Sequence, residues 1–276
     1  MNLVIQGAAL TDSDVRQLAE LAAAERIERI GTTAVRLVGA RQRPGIAEYC
    51  GRAGLDFAFL PENRKLSDMR LLAIDMDSTL ITIECIDEVA DLAGVKAEVS
   101  AITAAAMAGE LDYTQSLRRR VGLLRGLAQD ALARVYDERL QLSPGAETLI
   151  AAARRAGLKT LLVSGGFTYF TERLKARLGL DYSTSNTLEI EGGCLTGRLI
   201  GDIVDAAGKA AALRAIRSRF GFAREATIAI GDGANDLAMM AEAGVSVAYR
   251  AKPLARGSAD YALDHCGLDG VLNLFA

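Results

Sequence analysis

An α/β fold on a doubly wound, mostly parallel sheet is predicted by three features of the chain. Short apolar runs at Leu71–Met76, Leu158–Val163, Thr227–Ile230 and Val245–Ala248 are continuous rather than alternating, as in strands buried on both faces. Helical stretches separate them: Pro144–Ala156, Tyr169–Leu178, Lys209–Phe220 and Asp236–Ala243. Short polar or glycine-rich motifs follow three of the runs directly, at the carboxyl ends of strands where such sheets place their sites.

The remaining elements divide the chain. Residues 1–67 read as a small α+β module, with a strand at Leu3–Gln6 and a helix at Asp12–Ala24 capped by Thr11 or Asp12. β-leaning stretches at Ile27–Ile30 and Val35–Val38, a helix at Gly45–Ala53 and a strand at Leu55–Leu60 complete it. The polar stretch Pro61-Glu-Asn-Arg-Lys reads as a linker. Residues 68–276 form the main domain, and Cys85–Leu140, rich in helix formers, reads as a helical cap inserted into it. Leu188–Leu199, with Gly192-Gly193 at its middle, reads as a hairpin insert.

Composition narrows the function. Half of the 276 residues are hydrophobic and 24% are charged, enough to bury a sizeable core. A net charge of −3 argues against a general nucleic-acid surface, which needs clustered Lys and Arg. Cys50, Cys85, Cys194 and Cys266 are scattered with no CxxC pair, so neither a zinc site nor a redox motif is suggested. The N-terminus lacks the pattern of a signal peptide and no apolar stretch spans a bilayer, so no membrane partner and a cytoplasmic location are expected. His265 is the single histidine and has no partner pattern.

Asp75 and Asp77 carry the chemistry in this reading. They follow Leu71–Ile74 in DMDSTL, and residues two apart in an extended chain point the same way. Two acids in one crevice repel, and a bound cation resolves the repulsion. Mg²⁺ prefers one or two carboxylates plus phosphate oxygens. Phosphate-monoester hydrolysis calls for acceleration of up to ~10²¹-fold, roughly 29 kcal/mol, of which positioning supplies ~7–11. A covalent route through Asp75, with Asp77 as proton donor and then acceptor, makes up the difference. Two solvated loop acids are the plain alternative.

Three later points bear on that choice. Ser164-Gly165-Gly166 follows LKTLLV and offers a hydroxyl and open amides for phosphate oxygens, although it also suits an ordinary turn. Lys209 opens an apolar helix after a glycine, where a surface lysine is the alternative. Gly231-Asp232-Gly233-Ala234-Asn235-Asp236 follows TIAI and offers two carboxylates and an amide, or a turn with a helix cap. All four pieces fall in order at strand ends or helix starts, which favours the joint reading.

In that order DMDSTL, SGGF, a single lysine and GDGANDLAMM resemble the four motifs of the haloacid dehalogenase-like phosphatases. IECIDEVADLAG, GELDYTQSLRRRV, IGDIVDAAGKA and YRAKP are similar to the phosphoserine-phosphatase branch of that superfamily, and the likeness runs from Arg70 to the C-terminus. It implies a Rossmann-like core that hydrolyses O-phosphoserine with Mg²⁺, the last step of serine synthesis. Asp75 would be the nucleophile, Asp77 the acid and base, and Lys209 the charge that neutralises the phospho-aspartate. Ser164, Gly165 and Asn235 would bind the phosphoryl group. Asp75, Asp77 through its backbone, and Asp232 would hold the metal, with Asp236 supporting them. Glu84 would meet the substrate ammonium, Arg120 its carboxylate, and Met107 and Tyr113 would line the pocket. Arg118 and Arg119 are rivals for Arg120 that only the alignment to the family's SLRxRV pattern sets aside. Transfer of the phosphoryl group to another alcohol such as homoserine is a rival activity. A serine-binding regulatory protein is a second rival, which the complete motif set disfavours. The N-terminal module resembles an amino-acid-binding ACT-like module, and a folding or homodimerisation role fits it as well as sensing.

Overall fold

The computed structural model describes residues 1–62, 64–107 and 110–275. The chain opens with β1 (Asn2–Gln6), α1 (Asp12–Leu21), β2 (Arg26–Ile30), β3 (Ala34–Val38), α2 (Ile46–Ala53) and β4 (Asp56–Leu60). These strands form an antiparallel sheet in the order β2-β3-β1-β4, the split β-α-β-β-α-β arrangement. Thr11, rather than Asp12, caps α1: its hydroxyl accepts the Asp14 amide, and the Asp14 carboxylate accepts the Thr11 amide in return. Alternation along β1 sends Leu3 and Ile5 against Leu18, Ile46 and Cys50 of the helices, while Val4 faces the other way.

The main domain continues with β5 (Leu71–Asp75), α3 (Cys85–Leu92), α4 (Lys96–Met107), α5 (Tyr113–Gly122) and α6 (Asp130–Arg134). Then come α7 (Ala146–Arg155), β6 (Lys159–Phe167), α8 (Thr168–Leu178), β7 (Tyr182–Glu191) and β8 (Cys194–Ile200). The chain ends with α9 (Ala206–Phe220), β9 (Thr227–Gly231), α10 (Leu237–Ala241), β10 (Val245–Tyr249), α11 (Pro253–Ser258) and β11 (Tyr261–Leu263). Among the described residues the second sheet has the order β11-β10-β9-β5-β6-β7-β8, parallel throughout except for β8. This is the α/β fold expected, with the helices α3–α6 inserted after β5. The chain passes from β5 to β6 on one side and later returns to β9 on the other. The crevice at the carboxyl end of β5 is therefore the switch point of the sheet.

Several expectations are corrected. β5 ends at Asp75, so Met76 lies beyond the ladder, and Ser78 turns the backbone at φ 57°. The hairpin is not an insert: β7 begins at Tyr182 and pairs with β6, so the hairpin extends the sheet edge. Lys209 does not open its helix. The Asp205 carboxylate accepts the Gly208 amide at 2.8 Å and starts α9 at Ala206, which sets Lys209 one turn inside. The stretch from Ala234 begins as a tight turn before α10. β11, only three residues long, has no counterpart in the sequence reading.

The first module is docked rather than tethered. Val4, Ala58 and Leu60 on its second sheet face belong to the same apolar core as Leu268, Val271, Leu274 and Phe275. Asp56, 4% exposed, fixes the contact. Its carboxylate accepts the amides of Asp264 and Cys266, each at 2.8 Å, and that of His265 at 3.1 Å. His265, for which the sequence leaves a structural or an exposed place open, is exposed. Replacing Asp56 leaves part-buried donors without acceptors, each a desolvation cost. Asp56→Ala should lower unfolding stability by about 3 kcal/mol, and Asp56→Asn by about half as much. Urea denaturation reads both, and a loss for Asp56→Ala below about 0.5 kcal/mol would show that this clamp does not hold the module.

Candidate active site

The end of β5 gathers charge that apolar packing alone does not tolerate. Asp75 is 3% exposed and Asp236 is fully buried, yet both are carboxylates within reach of one ammonium. Lys209, 1% exposed, donates from Nζ to Asp75 Oδ1 and, at 2.7 Å, to Asp236 Oδ1. Burial alone would lower the Lys209 ammonium, but the two carboxylates hold it well above the ordinary lysine range. Burial, reinforced by the Asp236 charge, pushes Asp75 well above the usual carboxylate range in spite of Lys209.

Asp236 is fully committed. Its Oδ2 accepts the amides of Asp232 and Gly233 at 3.1 and 3.0 Å. Only glycine fits at Gly231, because a Cβ there would overlap the Asp236 side chain. The Asp232 carboxylate has no such partners among the described residues. Lys252 Nζ stands 3.7 Å from its carboxylate, and burial pushes Asp232 up to about 6. Single carboxylate oxygens of Asp75, Asp232 and Asp236 all lie within 4.8 Å of one another. Among the described residues this buried acid set faces one buried lysine, a negative surplus that fits a cation. Asp75 and Asp232 retain oxygens free to ligate. The Asp77 side chain is not part of this cluster.

Across the crevice Asp77 is half-buried and held at both oxygens. Oδ1 accepts the Cys85 amide at 2.8 Å, and Oδ2 accepts the Ser164 hydroxyl at 3.2 Å. Burial raises its pKa and these bonds oppose the rise. The Ser164 hydroxyl in turn accepts the Gly166 amide at 2.8 Å. The Gly165 carbonyl takes bonds from the Tyr113 hydroxyl at 3.2 Å and from Asn186 Nδ2 at 2.8 Å. A Cβ at Gly165 would overlap the Tyr113 hydroxyl, and one at Gly166 would lie 2.7 Å from Asp77 Oδ2. A side chain at either glycine would therefore displace groups that line the crevice.

The inserted helices supply the other wall. Glu84 accepts the Ser78 hydroxyl at 2.8 Å. Water reaches Glu84, but surrounding protein and the Asp77 charge push its carboxyl up to about 7. Tyr113 opens α5, and burial raises its phenol to about 12, so it stays a donor. Arg118 and Arg119 are exposed, whereas Arg120 is half-buried and its buried Nε has no partner among the described residues. The buried face of α5 is Ser116, Leu117 and Val121, which Arg120 adjoins by helical spacing. Asn235 is half-buried beside Gly233. Met107 ends α4, and its side chain lies outside the described residues. Sequence reasoning missed Ser78, Cys85, Asn186 and Lys252. Ser78 and Cys85 adjoin residues already singled out, while Asn186 carried no signal inside a plain strand.

The haloacid dehalogenase-like hydrolase family matches residues 72–241. A domain of unknown function, DUF4072, matches residues 3–46. A phosphoserine phosphatase of Albidiferax ferrireducens is 54% identical over 216 residues, 76% of this chain and 91% of that protein. The crystal structure of a HAD family hydrolase from Salmonella enterica serovar Typhi aligns with TM-score 0.90 and 34% identity, covering 99% of this chain and 98% of that one. A structure described as the phospho-aspartyl intermediate analogue of phosphoserine phosphatase aligns with TM-score 0.71 and 38% identity, covering 75% and 99%. With both the sequence match and a full-length structural likeness, the chain belongs to the haloacid dehalogenase-like hydrolases.

Proposed function

We propose that the chain hydrolyses O-phospho-L-serine to L-serine and phosphate through a phosphorylated Asp75. The observation that carries this reading is the buried Asp75–Lys209–Asp236 cluster facing Asp77 and Ser164 across one crevice. Its support on the substrate side is the likeness to relatives described as phosphoserine phosphatases, one of them substrate-bound.

In the first half-reaction an Asp75 oxygen bonds to phosphorus as the bond to the serine oxygen breaks. Asp77, whose raised pKa favours a held proton, donates that proton to the leaving oxygen. In the second half-reaction Asp77 takes a proton from the water that attacks phosphorus, and Asp75 is released as a carboxylate. Lys209 keeps its charge throughout and offsets the charge that builds on the phosphoryl oxygens. Ser164, the Gly165 amide and Asn235 bind those oxygens. Asp75, Asp232 and the Asp77 backbone would hold Mg²⁺, which supplies positive charge to the phosphoryl group when bound. Glu84 takes the substrate ammonium, and Arg120, with a buried donor still to satisfy, takes its carboxylate. Tyr113 lines the pocket between them, and the pocket-lining role that the family likeness implies for Met107 falls on a side chain outside the described residues. A reducing cytoplasm suits the four cysteines, which are unpaired. No helix among the described residues is long and apolar enough to cross a membrane.

Three measurements test this reading. Asp75→Asn should abolish phosphate release while leaving the circular dichroism spectrum and unfolding midpoint close to wild type. A normal rate from that variant would refute covalent catalysis at Asp75. Arg120→Ala should cost about 2–5 kcal/mol in kcat/KM on phosphoserine and much less on an aryl phosphate without a carboxylate. Equal losses on both would show that Arg120 does not read the carboxylate. Mg²⁺ at a hundredfold excess over its Kd should add about 2.7 kcal/mol of stability in thermal denaturation, and Asp232→Asn should remove most of that gain. An unchanged gain in the variant would place the ion elsewhere.

A further inference from the structure

The turn that carries Ser164 is held from behind by a side chain outside the reaction described above. Asn186 lies in β7 and is 1% exposed. Its Nδ2 donates to the Gly165 carbonyl at 2.8 Å, and its Oδ1 accepts the Val204 amide at 2.8 Å. Val204 precedes Asp205, the residue that caps α9 and so sets the depth of Lys209. One buried amide thus ties the phosphoryl-binding turn to the segment that delivers the buried lysine.

The tie reaches the acid as well. The Gly165 carbonyl and the Gly166 N–H belong to one peptide unit, which is planar. Fixing the direction of the carbonyl therefore fixes the direction of the N–H. That N–H donates to Ser164 Oγ, and the Ser164 hydroxyl donates to Asp77 Oδ2. Tyr113 holds the same carbonyl from the inserted helices, at the longer distance of 3.2 Å. Asn186 holds it from the sheet, independently of those helices. An asparagine suits the place because one side chain must present a donor and an acceptor in a fixed fork.

We propose that Asn186 is a positioning residue for phosphoryl transfer, locking the Gly165–Gly166 peptide plane to the start of α9 so that Ser164 and Asp77 stay aligned opposite Lys209. The inference rests on the phosphatase reading proposed above. Asn186 meets no substrate atom in it. Its loss therefore weakens alignment in the transition state and leaves the grip of the inserted helices on the amino-acid end unchanged.

The test compares Asn186→Leu, close in shape but without the fork, with Leu188→Ala. Leu188 is two residues along the same strand, buried, and pairs with Leu199 away from the turn. At matched folded fraction Asn186→Leu should lose about 10–100-fold in kcat with KM on phosphoserine within about threefold. Leu188→Ala should keep kcat within about threefold of wild type. In the same samples the Gly166 and Val204 amide hydrogens should exchange at least about tenfold faster in Asn186→Leu than in wild type. If Asn186→Leu does not fold, Asn186→Ala, which leaves room for a water, carries the comparison. A folded variant with kcat within about threefold of wild type, or with unchanged Gly166 exchange, overturns the proposal. Wild-type protein that releases no phosphate from phosphoserine refutes the functional reading instead, and the exchange measurement still judges the lock.

Discussion

The ammonium of Lys209, buried between Asp75 and Asp236, is the contact on which the rest of the site depends. Removing charges from water costs several kcal/mol per ion, and an unpaired buried charge is worse still. One lysine offsets part of the charge on a set of acids clustered within a few ångströms. Much local structure serves that arrangement. Gly231 has no side chain, so Asp236 can approach. Asp205 starts α9 early enough to bring Lys209 inside. The amides of Asp232 and Gly233 fix the Asp236 carboxylate in place.

The charge that Lys209 leaves uncompensated gives the site its chemical bias. Asp75, Asp77 and Asp232 are all pushed upward, chiefly by burial. A cation and a dianionic phosphoryl group complement each other in such a place. On the far side, contact rather than charge decides the residues. Gly165 is packed under the Tyr113 hydroxyl and Gly166 against Asp77, so larger residues at either position would push the walls of the crevice apart.

Much of this was legible because each motif follows an apolar strand, and period and punctuation place both. The buried β5, β6, β9 and β10 and the order of the acidic motifs follow from that pattern. Other features rest on long-range packing. Lys209 in an alanine-rich helix reads as a surface residue until α9 is packed against the sheet. β11 is too short to show a period, and β7 opens on the polar run Tyr182–Thr187, which carries no apolar strand signal. Asn186 sits among ordinary strand residues, and its value lies in two backbone groups remote in sequence. The choice among Arg118, Arg119 and Arg120 was available in principle. The buried face of α5 runs through Ser116, Leu117 and Val121, and helical spacing assigns the third arginine to its margin. Asp56 carries no signal in the sequence because an acid opening a strand resembles any turn residue, yet it binds three backbone amides some two hundred residues away.

The central claim is a transient bond between Asp75 and phosphorus. Rapid acid quench of turnover with ³²P-phosphoserine, followed by borohydride reduction and peptide mapping, reads that bond directly. The account predicts radiolabelled protein in the quenched sample and a reduced side chain at position 75 alone. Full turnover with no label on the protein, or a label at another residue, would contradict it.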